Sequence, residues 1–131
     1  TLSLGLSSVG SPVITSGPIG TGALVLNGGT LQTSGAFTIL NPYSVTGSAS
    51  LGGSTNLTLS GAGTLTSGTL TNTNSATTTL SGNLNGATNL TQNGTGVFVI
   101  SGANNASYAG ITTVTAGTLR VEVATNALGN S

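Results

Sequence analysis

The 131-residue chain has almost no charge and few of the side chains that perform chemistry. It contains no cysteine, histidine, methionine or tryptophan, and its only charged residues are Arg120 and Glu122. Nucleophilic and acid–base catalysis need a base beside the reacting group, and a zinc site needs several nitrogen, sulfur or carboxylate ligands. We therefore predict that the chain is not an enzyme and has no catalytic site, no metal site and no cofactor.

The shortage of charge also limits the partners of the chain. Nucleic acids and anionic membranes are bound through clustered lysine and arginine, and one arginine cannot form such a cluster. The longest apolar run, Val97–Ile100, is too short to cross a bilayer as a helix. The sequence therefore predicts neither nucleic-acid binding nor a transmembrane segment.

The remaining composition favours strands and turns over disorder. Aromatic residues make up only 3%, but hydrophobic residues make up 36% and there are only 3 prolines. Threonine, valine and leucine occur in short runs divided by glycine, asparagine and serine, which is typical of β-strands and turns. The chain begins with Thr1 and shows no signal-peptide pattern. We expect residues 1–131 to be a single segment of a longer or processed protein.

Short internal repeats run through the chain. Gly-Thr-Leu occurs at residues 29–31, 63–65, 68–70 and 117–119. Thr-Asn-Leu-Thr occurs at 55–58 and again at 88–91, and each copy is followed at the same distance by Gly-x-Gly; a further Gly-x-Gly lies at 20–22. Repeated short strands are typical of solenoids, and roughly 20 residues per coil would give about six coils. We interpret the repeated glycines as turn residues with positive φ.

Alternation of apolar and polar residues predicts which side chains face the core. Residues 97–100 are all apolar, so their register comes from alignment with the repeats, which places Leu24 and Leu65 on Phe98 and Leu26 on Ile100. The predicted core residues are Leu24, Leu26, Leu57, Leu59, Leu65, Phe98, Ile100, Leu119 and Val121. The predicted outward residues, and candidate lateral contacts with a neighbouring chain, are Val25, Val97, Val99, Arg120 and Glu122. Arg120 and Glu122 are two positions apart on one strand face, close enough to pair.

Residues 94–129 resemble the autotransporter-associated β-strand repeat of bacterial passenger domains. That repeat reads as Gly-x-Gly, an apolar strand, Ser-Gly-Ala-Asn, a tyrosine, Gly-x-Thr-Thr-Val, Ala-Gly-Thr-Leu and a second apolar strand. This sequence has these segments at 94–96, 97–100, 101–104, 108, 110–114 and 116–119, and residues 127–129 resemble the trailing segment. Tyr108 stands one residue later than the pattern. The resemblance implies a right-handed parallel β-helix, secretion and a place outside a bacterial cell or on its surface.

Three functions remain open from the sequence. The first is a structural protein whose uncharged solenoid associates with itself into a surface fibre, sheath or layer. The second is an adhesin or passenger stalk that binds carbohydrate or a host surface, for which Phe37, Tyr43, Phe98 and Tyr108 are the only aromatic candidates. The third is ice binding by the threonine rows at 64–66, 69–71 and 77–79, although their spacing is irregular.

Overall fold

The computed structural model describes residues 1–10, 13–123 and 128–129, and within this part the regular structure consists of short β-strands without helices. Most strands alternate one inward apolar residue with one outward polar residue, as the sequence pattern predicts. The strands are β1 (Leu2–Leu4), β2 (Val9–Gly10), β3 (Ile14–Ser16), β4 (Leu24–Leu26), β5 (Thr30–Thr33), β6 (Phe37–Ile39), β7 (Tyr43–Val45), β8 (Ala49–Leu51), β9 (Leu57–Leu59), β10 (Gly63–Leu65), β11 (Thr69–Asn72), β12 (Thr77–Leu80), β13 (Leu84–Gly86), β14 (Asn89–Gln92), β15 (Val97–Ile100), β16 (Thr112–Val114) and β17 (Thr118–Val121).

Three parallel sheets form the sides of a solenoid. Sheet I contains β4, β7, β10 and β13; sheet II contains β1, β5, β8, β11, β14 and β16; sheet III contains β6, β9, β12, β15 and β17. From β4 onward the chain visits sheets I, II and III in the same order in every coil, and the last coil reaches sheet I through the bridge between Gly86 and Tyr108. The predicted all-β solenoid is confirmed, with about five coils.

The strand register gives the length of one coil. In sheet III, Leu57 pairs with Thr78 in the next coil, and Thr78 pairs with Phe98 in the coil after that. These steps confirm the coil length predicted from the sequence. The spacing of the two Thr-Asn-Leu-Thr motifs is not the coil length, because residues 55–58 lead into and form part of β9 in sheet III and residues 88–91 lead into β14 in sheet II.

One antiparallel hairpin interrupts the first coil. Strands β2 and β3 pair with each other rather than with the three sheets, and their register shifts between Val9 and Gly10. Just before the hairpin, the amide of Ser8 donates to the carbonyl of Thr38 at 2.8 Å, which joins this segment to the first strand of sheet III. The insertion explains why Leu2 pairs with Leu31, since these two residues are further apart in sequence than paired residues of the other coils.

The apolar core is a column enclosed by the three sheets. The structure buries seven of the nine predicted core residues: Leu24, Leu26, Leu57, Leu59, Leu65, Phe98 and Ile100. Leu119 is partly buried and packs against the same column. The prediction is wrong for Val121, which is 40% exposed. Val121 pairs with Ile100 on one side, but it lies on the last strand of sheet III in the described part, so no further strand covers it.

The glycines of the Gly-Thr-Leu repeats have two different roles. Gly29, Gly68 and Gly117 have φ values of 72°, 84° and 65°, and they form the turns that the sequence predicts. The prediction is wrong for Gly63, which lies inside β10 and faces the core. The four copies of this motif are therefore not structurally equivalent.

Candidate functional surfaces

The outward face of sheet II carries an in-register row of hydroxyl side chains. This sheet II hydroxyl ladder consists of Thr30, Ser50, Thr71, Thr91 and Thr113. Neighbouring strands in a sheet are about 4.8 Å apart, so the ladder repeats regularly along the solenoid. Within the described part of the chain, none of the five hydroxyls has a protein hydrogen-bond partner. The whole ladder is therefore available to water or to another surface.

The equivalent row on sheet III changes character along the solenoid. It begins with Thr38, Thr58 and Thr79 and continues with Val99 and Arg120. The prediction that Val99 is exposed is wrong, because the side chain is only 1% accessible. Its in-register neighbours are Thr79 in the preceding coil and Arg120 in the following one. This face therefore does not present Val99 for contact with another molecule.

Among the other predicted lateral-contact residues, Val97 and Arg120 lie on the outward face of sheet III, whereas Val25 lies on sheet I. Val97 is half-buried on sheet III, whereas Val25 is 59% exposed on β4 at the edge of sheet I. Arg120 and Glu122 form the predicted ion pair, with Nε and Oε1 2.8 Å apart and side chains that are 59% and 44% exposed. A pair this exposed contributes under about 1 kcal/mol to stability.

The aromatic side chains lie inside the solenoid. Tyr43, Phe98 and Tyr108 are buried, and Phe37 is half-buried at the first strand of sheet III. The chain contains only these 4 aromatic residues. The surface therefore has no fully exposed aromatic ring on which a sugar could stack.

Tyr43 occupies a site that the sequence did not reveal. Its ring points inward from β7 towards Gly63, where an added Cβ would lie 2.6 Å from both Cζ and the hydroxyl oxygen of Tyr43. The inward glycine of β10 thus makes room for the phenol. The hydroxyl is buried without a hydrogen-bond partner, and burial raises the pKa of Tyr43 above its ordinary value. Burial also raises the pKa of Tyr108.

We expect Tyr43→Phe to leave the free energy of unfolding unchanged or to raise it by up to about 1 kcal/mol, because the lost hydroxyl has no partner. Above the ordinary tyrosine pKa of about 10, the unfolded chain ionises Tyr43 and the folded chain does not. The unfolded state then binds fewer protons, so stability falls as pH rises. Urea denaturation at neutral and at alkaline pH should show that the free energy of unfolding falls less with pH for Tyr43→Phe than for the wild type.

Tyr108→Phe is the matched control for this prediction. The Tyr108 hydroxyl lies 3.3 Å from Thr112 Oγ1 and 3.4 Å from the Ile111 carbonyl. Its removal should cost about 0.5–1.5 kcal/mol at neutral pH. A large neutral-pH loss for Tyr43→Phe would contradict the assignment of an unpartnered hydroxyl.

Buried carboxamides hold two of the Gly-x-Gly turns. Gln92 Nε2 donates to the carbonyls of Gly94 and Gly96 at 3.0 and 2.9 Å, while its Oε1 accepts from Asn72 Nδ2 at 2.7 Å. Asn41 does the same for the turn at residues 20–22, donating from Nδ2 to both glycine carbonyls at 3.0 and 2.7 Å. These amides tie the turns to neighbouring coils. Sequence reasoning missed them, although polar residues at inward positions of apolar strands were the available signal.

The Gly-x-Gly glycines mostly serve close packing. The predicted positive φ occurs at Gly20, where φ is 72°, but not at Gly94 or Gly96. A Cβ on Gly94 would overlap the carbonyl of Asn74, and one on Gly96 would overlap the carbonyl of Ala76. The prediction is therefore corrected: these two glycines let successive coils approach each other.

Within residues 1–10, 13–123 and 128–129, no group of three or more potential metal ligands occurs. No helix in that part is long and apolar enough to span a membrane.

The last coils match a known repeat family. Residues 90–121 match the model of the passenger-associated-transport-repeat family, about a quarter of the chain. The match includes β15, Tyr108, β16 and β17, and it starts shortly before the predicted repeat at 94–129. In the predicted trailing segment, Ala127 lies outside the described residues, and Leu128 packs against the core.

No curated protein and no solved structure matches the chain. The family match nevertheless confirms the resemblance seen in the sequence. The chain carries a passenger-type repeat in its last coils, and its β-solenoid fold fits an autotransporter passenger-like protein.

Proposed function

We propose that this chain is a rigid structural segment of a bacterial passenger-type protein, secreted or displayed at the cell surface, and that its copies associate side by side into a fibre, sheath or layer. The family match at residues 90–121 supports the passenger-type assignment. The stacked parallel sheets support rigidity, because every interior strand is hydrogen-bonded to the coil before it and the coil after it.

The observation that carries self-association is the lack of charge on the outer faces. The formal net charge is zero, and the one arginine and one glutamate pair with each other. Net charge is one of the features that keeps soluble proteins apart, and a neutral surface favours association. Two copies of this chain would approach without electrostatic repulsion.

Sheet II is the face best suited to this contact. The sheet II hydroxyl ladder presents groups that each act as donor and acceptor, so two ladders can satisfy one another. Threonine methyl groups would lose contact with water at the same time. Ile111, 66% exposed immediately before β16, adds apolar area beside the sheet II hydroxyl ladder. Val25, also exposed, belongs to sheet I and would serve a second contact.

We expect the purified wild-type chain to form larger species as its concentration rises, visible by sedimentation velocity and negative-stain electron microscopy. The double variant Thr71→Lys and Thr91→Lys should remain monomeric, because two copies would bring four ammonium groups together at the sheet II contact. The double variant Thr38→Lys and Thr58→Lys, on the outward face of sheet III, adds the same charge and is a control that leaves this contact unchanged. Wild-type protein that stays monomeric at all concentrations would refute self-association.

Ice binding is a second candidate because of the regular spacing of the sheet II hydroxyl ladder. The threonine rows at 64–66, 69–71 and 77–79 do not combine into one surface, since they begin on β10, β11 and β12 in three different sheets. The sheet II hydroxyl ladder instead supplies one hydroxyl from each coil. Thermal hysteresis that disappears in the Thr71→Lys and Thr91→Lys variant would favour this function over a structural one.

Carbohydrate binding has weaker support. A hydroxyl-rich face can hydrogen-bond to sugars, but the aromatic rings that would stack on them are buried or half-buried. A glycan array with the purified chain distinguishes this function from self-association.

A further inference from the structure

Three Asn-Gly dipeptides occur in the chain, at residues 27–28, 85–86 and 93–94. Such dipeptides can deamidate without an enzyme. The backbone nitrogen of the glycine attacks Cγ of the asparagine, ammonia leaves, and a five-membered succinimide forms. Water then opens this ring to aspartate or isoaspartate. The reaction needs a glycine nitrogen that is free of a hydrogen bond and a backbone that can rotate towards the side chain.

Two of the three dipeptides lack this freedom. The amide of Gly86 donates to the Ser107 carbonyl at 3.0 Å, and the amide of Gly94 donates to the Asn72 carbonyl at 2.9 Å. A Cβ on Gly86 would overlap the carbonyl of Leu65, so the backbone there is pressed against the preceding coil. A Cβ on Gly94 would likewise overlap the carbonyl of Asn74, which belongs to the preceding coil. Each nitrogen becomes available only when the coil opens locally.

The dipeptide at 27–28 is in a different environment. Within the described part of the chain, the amide of Gly28 has no hydrogen-bond partner. Asn27, Gly28 and Gly29 are all exposed. A Cβ added to Gly28 would meet only the Ser48 carbonyl, at 3.9 Å, and one added to Gly29 would meet nothing within 4 Å. The turn after β4 therefore has space to move and access to water.

We propose that Asn27 is the site of spontaneous deamidation in the folded protein and that stacking of the coils protects Asn85 and Asn93. The inference does not depend on the proposed function. Its product adds one carboxylate to a chain whose formal net charge is zero. A slow chemical change at one turn thus gives the chain a net negative charge.

The test is to age the folded wild-type chain in mildly alkaline buffer and to follow each site by peptide mass spectrometry. The chain has only one residue at which trypsin cleaves, so pepsin is the suitable protease. We expect Asn27 to convert at least roughly tenfold faster than Asn85 or Asn93, because those sites react only through local opening. In urea, where the coils are unfolded, the three sites should convert at similar rates. Isoelectric focusing of the intact chain should show one acidic species appearing first in the folded sample.

Two variants separate the proposed cause from other effects. Asn27→Gln should abolish the first acidic species without changing the slow sites. Gln92→Ala removes the amide that holds the carbonyl of Gly94, and it should speed conversion of Asn93 while leaving Asn27 unchanged. Conversion of Asn85 or Asn93 as fast as Asn27 in the folded wild-type chain would overturn the proposal. So would a folded chain in which Asn27 stays intact while all three sites react in urea.

Discussion

Replacing Phe98 by alanine will lower the free energy of unfolding by about 3–5 kcal/mol. The ring is completely buried on β15, with Thr78 and Leu119 as its in-register neighbours in the coils on either side. Its removal leaves a cavity that a solenoid held by continuous strand pairing cannot close without breaking that pairing. Urea denaturation followed by circular dichroism measures the loss.

Phe37→Ala is the matched control for Phe98→Ala. Phe37 belongs to the same inward row, at the first strand of sheet III, and it is only half-buried. Truncation there removes the same atoms from a site that water already reaches, so it should cost less than half as much. Equal losses at the two positions would show that burial within the stack does not determine the contribution of the ring.

Alternation within a strand was enough to predict most of the core. Leu57 and Leu59 flank a polar residue on β9, and both are completely buried. Val99 shows where this reasoning stops. It faces outward as predicted from alternation, but its side chain is only 1% accessible. Alternation predicts the side of the strand from which a side chain projects, not whether that side is exposed to water. The prediction that Val121 is in the core is wrong for a different reason: Val121 faces inward, but it lies where the described stack ends.

The sequence repeats predicted which residues face inward or outward better than they predicted which of the three sheets each residue belongs to. Leu24 was aligned with Phe98, and both are buried, but Leu24 lies in sheet I and Phe98 in sheet III. All three sheets use the same pattern of short apolar strands divided by glycine turns. A motif can therefore recur on a different side of the solenoid, as Thr-Asn-Leu-Thr does. Only the strand register, which pairs each residue with its equivalent in the next coil, assigns the side.

Polar residues in the core were the part of the structure that apolar patterning could not predict. Asn72 and Gln92 each stand two residues after a buried leucine, on the inward side of β11 and β14. An inward amide is unfavourable unless its hydrogen bonds are satisfied. The partners come from turns and from the neighbouring coil; they satisfy Gln92 and Nδ2 of Asn72, but they leave Oδ1 of Asn72 buried without a partner. The sequence alone does not identify these partners. The ordered hydroxyls of sheet II were likewise visible as threonines but not as a ladder.

Gln92→Leu will lower the free energy of unfolding by about 2–4 kcal/mol, although it places an apolar residue of similar size in the core. The substitution leaves Asn72 Nδ2 and the Gly94 carbonyl without the partner that Gln92 supplies, and each buried polar group left unpaired costs about 1–3 kcal/mol. The Gly96 carbonyl is less affected, since it also accepts from the amide of Thr118 at 3.1 Å.

Thr91→Val is the control on the same strand. Its outward hydroxyl has no protein partner, so its loss should change the free energy of unfolding by less than about 0.5 kcal/mol. Urea denaturation of both variants decides the point: if Gln92→Leu is as stable as Thr91→Val, the solenoid is held by apolar packing and strand pairing, and the buried amides contribute no net stability.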